Sequence, residues 1–289
     1  MGIGPFSFLS IDRISSPRIL LKIDINMTES KYEWLAKADT TLEKFRACRP
    51  LSAPAVKRLR EEIKLQTTYD SNAIEGSTLS LRETVLAVKE GIAVGSGKSI
   101  RDFMAAQGYA AGFDAIFDFV EDQIELSEAL ILSFHRYVML GALPEFCGVF
   151  RDHNVRILGT ICKTVEYWEI QGKIHELVDC FNDPTNLLHP IEKASLFHAK
   201  YETIHPFSDG NGRTGRLLLN YMLVREGYWP VNIRYAEDRE RYYEALAIFN
   251  RDNCADALTC LIAERAIEQL NYCIEIARQQ QASKTIQHT

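Results

Sequence analysis

The segment at residues 205–216 constrains this chain more than any other. It reads His-Pro-Phe-Ser-Asp-Gly-Asn-Gly-Arg-Thr-Gly-Arg. Pro206 and Gly210 interrupt the helical pattern before them: one has no amide hydrogen to give, and the other is a residue of turns. Leu217, Leu218, Leu219, Tyr221 and Met222 then restart a helix. The segment is thus a loop between two helices, and it runs directly into the N-terminus of the second.

The rest of the chain predicts a mainly α fold. Tyr32, Leu35, Ala36, Leu42 and Phe45 recur at helical spacing over 29–47. Ser52 can cap a second helix with Pro54 in its first turn, running to about Ile74 and stopping near Gly76. Ser80 and Glu83 form a capping box for a third. Ser99 opens a helix through Phe119, and Ser127 opens one that ends near Gly141. Residues 148–162 read as a β-hairpin, with the β-prone run Asn154-Val155-Arg156-Ile157-Leu158. Further helices are expected from about Val165 to Phe181, from Pro190 into the loop, and over 238–250 and 254–278. The Gln-rich end from Gln279 is expected to fray.

The whole-chain properties exclude several classes. A net charge of −6 gives no broad basic field, so nucleic acid is not an expected partner. The seven cysteines are odd in number and contain no C-x-x-C pair, which argues against a disulfide framework or structural zinc and for a reducing, cytoplasmic setting. No apolar run reaches about 18 residues, so no membrane span is expected. Any anionic ligand must be held by local features.

The loop supplies such features. A helix N-terminus has unpaired N–H groups and partial positive charge, and Gly210 and Gly212 let the backbone converge on a phosphate. Arg213 and Arg216 lie one helical turn apart and can aim at one anion with planar forks suited to phosphate oxygens. Asp209 offers one hard oxygen, which is what magnesium needs when phosphates and water fill its other positions. His205 titrates near neutrality and can take a proton from a hydroxyl. Each residue alone is ordinary. Base, aromatic, acid, two glycines and two arginines in that order make a nucleotidyl transfer site.

The segment resembles the signature of the Fic family, H-x-F-x-D/E-G-N-G-R-x-x-R, at every defined position. The resemblance implies a Fic-type helical bundle with the hairpin as its flap. It implies a protein adenylyltransferase that moves AMP from ATP to a Tyr, Ser or Thr hydroxyl. His205 would deprotonate that hydroxyl and Phe207 would anchor the loop. Asp209 would hold Mg²⁺ against the α- and β-phosphates. Gly210, Asn211 and Gly212 would line the anion hole, with Arg213 on the phosphates and Arg216 on the γ-phosphate. Tyr242, Tyr243 and Asn250 resemble positions around the adenosine, and Tyr243 and Asn250 are seven apart on one helix face.

Ser71-Asn72-Ala73-Ile74-Glu75-Gly76 reads by itself as a helix end with Gly76 as its left-handed cap. Glu75 there faces partial negative charge and calls for a cationic partner. The stretch is similar to the family's inhibitory motif, S/T-x-x-x-E-G/N, in which Ser71 and Gly76 flank a glutamate that pairs with the second signature arginine, here Arg216. This places the chain with members whose inhibitory helix is N-terminal.

The expected organisation is a loose arm at 1–28, a helical region carrying the inhibitory helix at 29–95, a catalytic core at 96–280 and a polar tail at 281–289. A hydrolase that removes AMP and a nucleotide-binding regulatory module stay open as alternatives. So do the protein target, which includes the chain itself, and a homodimer. Gly95-Ser96-Gly97-Lys98-Ser99 is not a phosphate-binding P-loop, because Ile92 stands where the first glycine is required.

Overall fold

The computed structural model describes residues 30–287, apart from 49, 93–96, 140, 142–145 and 157–162. Its elements are α1 (Lys31–Ala47), α2 (Ala53–Ile74), α3 (Leu81–Glu90), α4 (Ile100–Glu121), α5 (Glu128–Met139), α6 (Ile170–Asn182), α7 (Pro190–Ile204), α8 (Asn211–Arg225), α9 (Tyr235–Asp252) and α10 (Asp256–Gln287). Among the described residues there is no strand.

Local chemistry sets most of these boundaries. Ser52 Oγ accepts the Ala55 amide at 3.4 Å, with Pro54 in the first turn of α2. Ser80 and Glu83 form a reciprocal capping box on α3, and Ser99 Oγ accepts the Arg101 amide at the start of α4. The end of α2 is a Schellman turn: Gly76 at φ +89° donates to Ala73 O, and Ser77 N donates to Asn72 O, both at 3.0 Å.

α8 is the central helix. Leu217, Leu218, Leu219, Tyr221 and Leu223 are all buried, so it is enclosed on every side, by α2, α4, α5 and α7. Small residues let α4 come close. A β-carbon at Gly108 would lie 2.2 Å from the Tyr137 carbonyl oxygen, and one at Gly112 would lie 2.7 Å from Leu217 Cδ1. α1 packs along α10, and one apolar core runs from Leu35 to Ile276. Leu79, Ala87, Phe103 and Ala106 form a smaller cluster joining α3 to α4. No helix of the described residues is long and apolar enough to cross a membrane.

The structure corrects three boundaries. The expected hairpin at 148–162 forms no ladder among its described residues, and Ile157 and Leu158 lie outside them. Its limbs do approach: Thr164 Oγ1 donates to Val155 O, and Tyr167 N to Asn154 Oδ1, each at 2.9 Å. The Arg151 guanidinium takes the His153 and Val165 carbonyls, acceptors that a ladder would use. α6 begins at Ile170 rather than Val165, after a 3₁₀ turn at Tyr167–Glu169. α10 continues to Gln287, past the expected fraying point, because Gln, Ala and Lys favour helix and no Gly or Pro intervenes.

Candidate functional site

The loop from α7 to α8 is held from three directions. α7 ends on His205, whose backbone is left-handed at φ 51° and ψ 61° with its amide bonded to Tyr201 O at 2.9 Å. A non-glycine residue in this region costs about 1–2 kcal/mol, so surrounding contacts must impose it. Arg151 supplies one: its Nε donates to His205 O at 2.9 Å, and its backbone amide donates to Pro206 O at 3.0 Å. Asn211 supplies another from inside the loop, accepting the Phe207 amide at 2.9 Å and donating to the Phe207 carbonyl at 2.8 Å. Its side chain is therefore committed to the loop, and only its backbone faces an anion.

His135 on α5 is the third. Its ring stacks on Phe207 with centroids 3.6 Å apart and planes within 1°. Nδ1 accepts the Gly148 amide at 2.9 Å, which leaves Nε2 to donate to Asp209 O at 3.0 Å. Burial pushes the His135 imidazole down to about 4, so it stays neutral in that tautomer.

The start of α8 presents unpaired first-turn amides, the end of a helix that attracts anions. Gly210 caps it at φ +77°, and a β-carbon there would lie 2.7 Å from Met139 Sδ. Arg213 is buried, with Nη2 3.4 Å from Asp209 Oδ1. Asp209 also receives Arg101 from α4 and the Gly210 amide. Burial alone would raise the Asp209 carboxyl, but Arg213, that amide and Arg101 together hold it below its ordinary value. Among the described residues no three metal-ligating side chains cluster. A single, half-exposed, ionised carboxylate beside an anion cradle fits a magnesium ion carried mainly by phosphates and water.

Glu75 reaches this cradle from the end of α2. Arg216 is 4% exposed and donates from Nε to Ser71 Oγ, and from Nη2 to Ser71 O and Glu75 Oε1, at 2.9, 2.9 and 2.7 Å. A β-carbon at Gly212 would lie 2.2 Å from the same Oε1. The carboxylate thus rests on the first turn of α8, where that turn attracts an anion. Burial would lower the Arg216 guanidinium, yet Glu75, Tyr242 and Tyr109 together outweigh it and hold the group above its ordinary value.

His205 lies across the loop from this pair. Its Nδ1 faces Glu202 O at 3.3 Å, so the Nδ1 proton is directed there and Nε2 carries the lone pair. Burial pushes the imidazole down to about 4, so at neutral pH it is an unprotonated base. Glu202 stands beside it, its carboxyl pushed by burial up to about 8.

The adenosine expectations divide. Tyr242 is 1% exposed and its hydroxyl meets His198 Nε2 at 2.7 Å, so it faces the core and not the cleft. Adjacent residues on a helix point about 100° apart, and Tyr243 is the exposed one. Its hydroxyl donates to Ile74 O at 3.3 Å, beside Glu75, while Asn250 accepts from Thr203 at 2.7 Å. Arg101, His135 and Glu202 were missed in the sequence. Lys98 of the rejected P-loop bonds to Thr78 O and pairs with Glu83 at 3.5 Å.

Comparison with known proteins converges on the same region. The profile of the Fic/DOC family matches residues 125–223. Protein adenylyltransferase Fic of Nematostella vectensis is 38% identical over 224 residues, 74% of this chain and 49% of that protein. Protein adenylyltransferase fic-1 of Caenorhabditis elegans is 36% identical over 203 residues, 68% of this chain and 38% of that protein. The chain thus spans less than half the length of these two relatives. A structure of C. elegans Fic-1 superposes with a TM-score of 0.76 at 29% identity, covering 86% of this chain and 73% of that one. A Fic domain-containing signaling protein of Bacteroides thetaiotaomicron gives 0.75 at 26% identity, covering 84% and 97%.

Proposed function

Because residues 125–223 of this chain belong to the Fic/DOC family, we propose that it is a protein adenylyltransferase, moving AMP from ATP to a Tyr, Ser or Thr hydroxyl of a protein target and restrained in cis by Glu75. One observation carries the reading: a carboxylate occupies an anion cradle made of a helix N-terminus and a buried arginine, beside an unprotonated imidazole. Relatives named as adenylyltransferases support the donor and the reaction.

His205 Nε2 takes the proton of the target hydroxyl, and the oxygen attacks the α-phosphorus. The bond from that phosphorus to the bridging oxygen breaks, and pyrophosphate leaves. The first-turn amides of α8 stabilise charge on the phosphates. Arg213 grips the same group, and Arg216 anchors the γ-phosphate once Glu75 withdraws. Asp209 would hold Mg²⁺, which supplies charge neutralisation on the phosphates. Most of the acceleration comes from positioning and from fixed dipoles. The left-handed turn at His205, with its Arg151 clamp, supplies that positioning for the base.

With Glu75 on Arg216, the γ-phosphate has no anchor and ATP binds without productive geometry. A labelled-ATP assay of the parent protein, Glu75→Gly and His205→Ala tests this. Weak labelling, strong labelling and none are expected, in that order. Labelling by His205→Ala would remove the assigned base, and preference for UTP or CTP in parallel reactions would change the donor.

A further inference from the structure

Glu202 takes no part in the mechanism above, yet its side chain is only 12% exposed and lies against the assigned base. It sits three residues before His205, on the last turn of α7. Its Oε2 is 3.9 Å from His205 Nδ1. Its Oε1 is buried and accepts no hydrogen bond, 3.9 Å from His198 Nε2. Space for it exists only because α8 has no side chain at Gly215, where a β-carbon would lie 2.5 Å from Oε1. A buried carboxyl with an unsatisfied oxygen destabilises a fold unless another gain offsets it.

We propose that Glu202 is a positioning residue for the general base: its backbone carbonyl takes the Nδ1 proton of His205, and its carboxylate, seated against Gly215 and 3.9 Å from the ring, stabilises by charge the imidazolium formed as Nε2 accepts the target's proton. The inference rests on the adenylyltransferase reading for what His205 does, but not for the pairing itself. Proton balance is simple. In the protein with Glu202 ionised, the hydroxyl proton goes to Nε2 and later to solvent, and Glu202 neither gains nor loses a proton during the step. A carboxylate beside the imidazole raises its proton affinity, and about one pKa unit corresponds to a tenfold change.

The groups facing Glu202 are His198, Tyr201 and His205 from α7 and its end, Arg216 from α8, Tyr242 and Tyr243 from α9 and Glu75 at the end of α2. Burial raises Glu202 most, Arg216 opposes that, and Glu75 adds to it, giving a value of about 8. His205 itself lies at about 4 and contributes no titration near neutrality. The rate should therefore rise roughly tenfold as Glu202 ionises, with a midpoint at or below about 8 once Glu75 is gone.

Two measurements in the Glu75→Gly protein test this. The first is the pH profile of kcat for labelling, with and without Glu202→Gln. The expected result is that Glu202→Gln stays on the low-pH plateau, loses the rise and keeps the KM for ATP. Superimposable profiles overturn the proposal. The second needs no Glu202 variant. Spectra of ¹⁵N-histidine-labelled protein should show His205 as the Nδ1–H tautomer, with ring shifts that follow a carboxyl titration between pH 6 and 9. An Nε2–H tautomer, or shifts flat across that range, overturns it as well. Should the Glu75→Gly protein label nothing with ATP, the adenylyltransferase reading fails while the spectra still decide the pairing.

Discussion

Removal of the Glu75 carboxylate should do two opposite things, and their sizes follow from one contact. Glu75 Oε1 lies 2.7 Å from Arg216 Nη2, with the arginine side chain 4% and the glutamate 36% exposed. A hydrogen bond to a charged group contributes about 1.5–3 kcal/mol, and the exposure of Glu75 places this one near the lower end. Arg216 keeps its two bonds to Ser71, so it is not stranded. Glu75→Gly should then lower stability by about 1.5–2 kcal/mol, which is a fall of roughly 3–6 °C in Tm for a chain of this size. The same contact no longer competes with a γ-phosphate. Each 1.4 kcal/mol is a factor of ten, so productive ATP binding should improve by about 10- to 30-fold. The assays are initial rates of labelled AMP incorporation and thermal melts with and without Mg²⁺-ATP. The variant should melt lower alone, gain more from ATP than the parent, and label at least tenfold faster. Glu75→Gln keeps the shape and loses the charge, so it should follow Glu75→Gly in rate. A Glu75→Gln protein as silent as the parent, or rates within twofold across the series, would refute the charge-competition argument.

Other outcomes follow from the supports of the loop. Arg151→Ala removes the clamp on the His205 carbonyl, so labelling in the Glu75→Gly background should fall at least tenfold while the KM for ATP changes little; steady-state kinetics would check it. His135 and His198 are pushed by burial to about 4 and about 3. Their folded values lie below the unfolded value of about 6.5, so each contributes stability that is full above that pH and is lost as pH falls through the window toward 4. For His135 alone the loss approaches about 3 kcal/mol. Urea midpoints at pH 7 and pH 5 should differ sharply, and His135→Phe should narrow the difference while the buried His198 and His205 keep the rest of it; equal midpoints would contradict it. Gly108→Ala puts a methyl 2.2 Å from a backbone carbonyl on α5 that cannot move aside. It should cost about 1–3 kcal/mol despite the better helix propensity of alanine, read as a lower Tm with no selective effect on KM.

Much of the helical organisation was legible in the sequence because its causes are local. Ser52, Ser80 and Ser99 cap the helices they precede, and Gly76 takes the left-handed turn that ends α2. Such signals act over one turn, so neighbouring residues determine them. The loop and its direction into α8 were legible for the same reason, but it is shorter than the expected 205–216: α8 already begins at Asn211, so Arg213 and Arg216 stand on its first turns. Periodicity could not decide between Tyr242 and Tyr243, since both suit a half-buried helix. Only the packing of α9 turned Tyr242 inward to His198 and left Tyr243 beside the end of α2.

The site itself depends on contacts between distant parts of the chain. Glu75 meets Arg216 across 141 residues, Arg101 meets Asp209 across 108, and His135 meets the Asp209 carbonyl across 74. The sequence shows that Glu75 needs a cation at a helix end, but nothing in the residues alone selects Arg216; the family resemblance supplied that pairing. Glu202 marks the boundary most clearly. Its spacing from His205 is plain in the sequence, and on an exposed helix it would be one more solvated carboxylate. The close approach of α8 at Gly215 takes it out of water, and loss of hydration is what changes its proton affinity. Residue order fixed the turns and caps, because those are short-range hydrogen bonds. Tertiary packing fixed which charges lost their water, because that depends on what lies opposite.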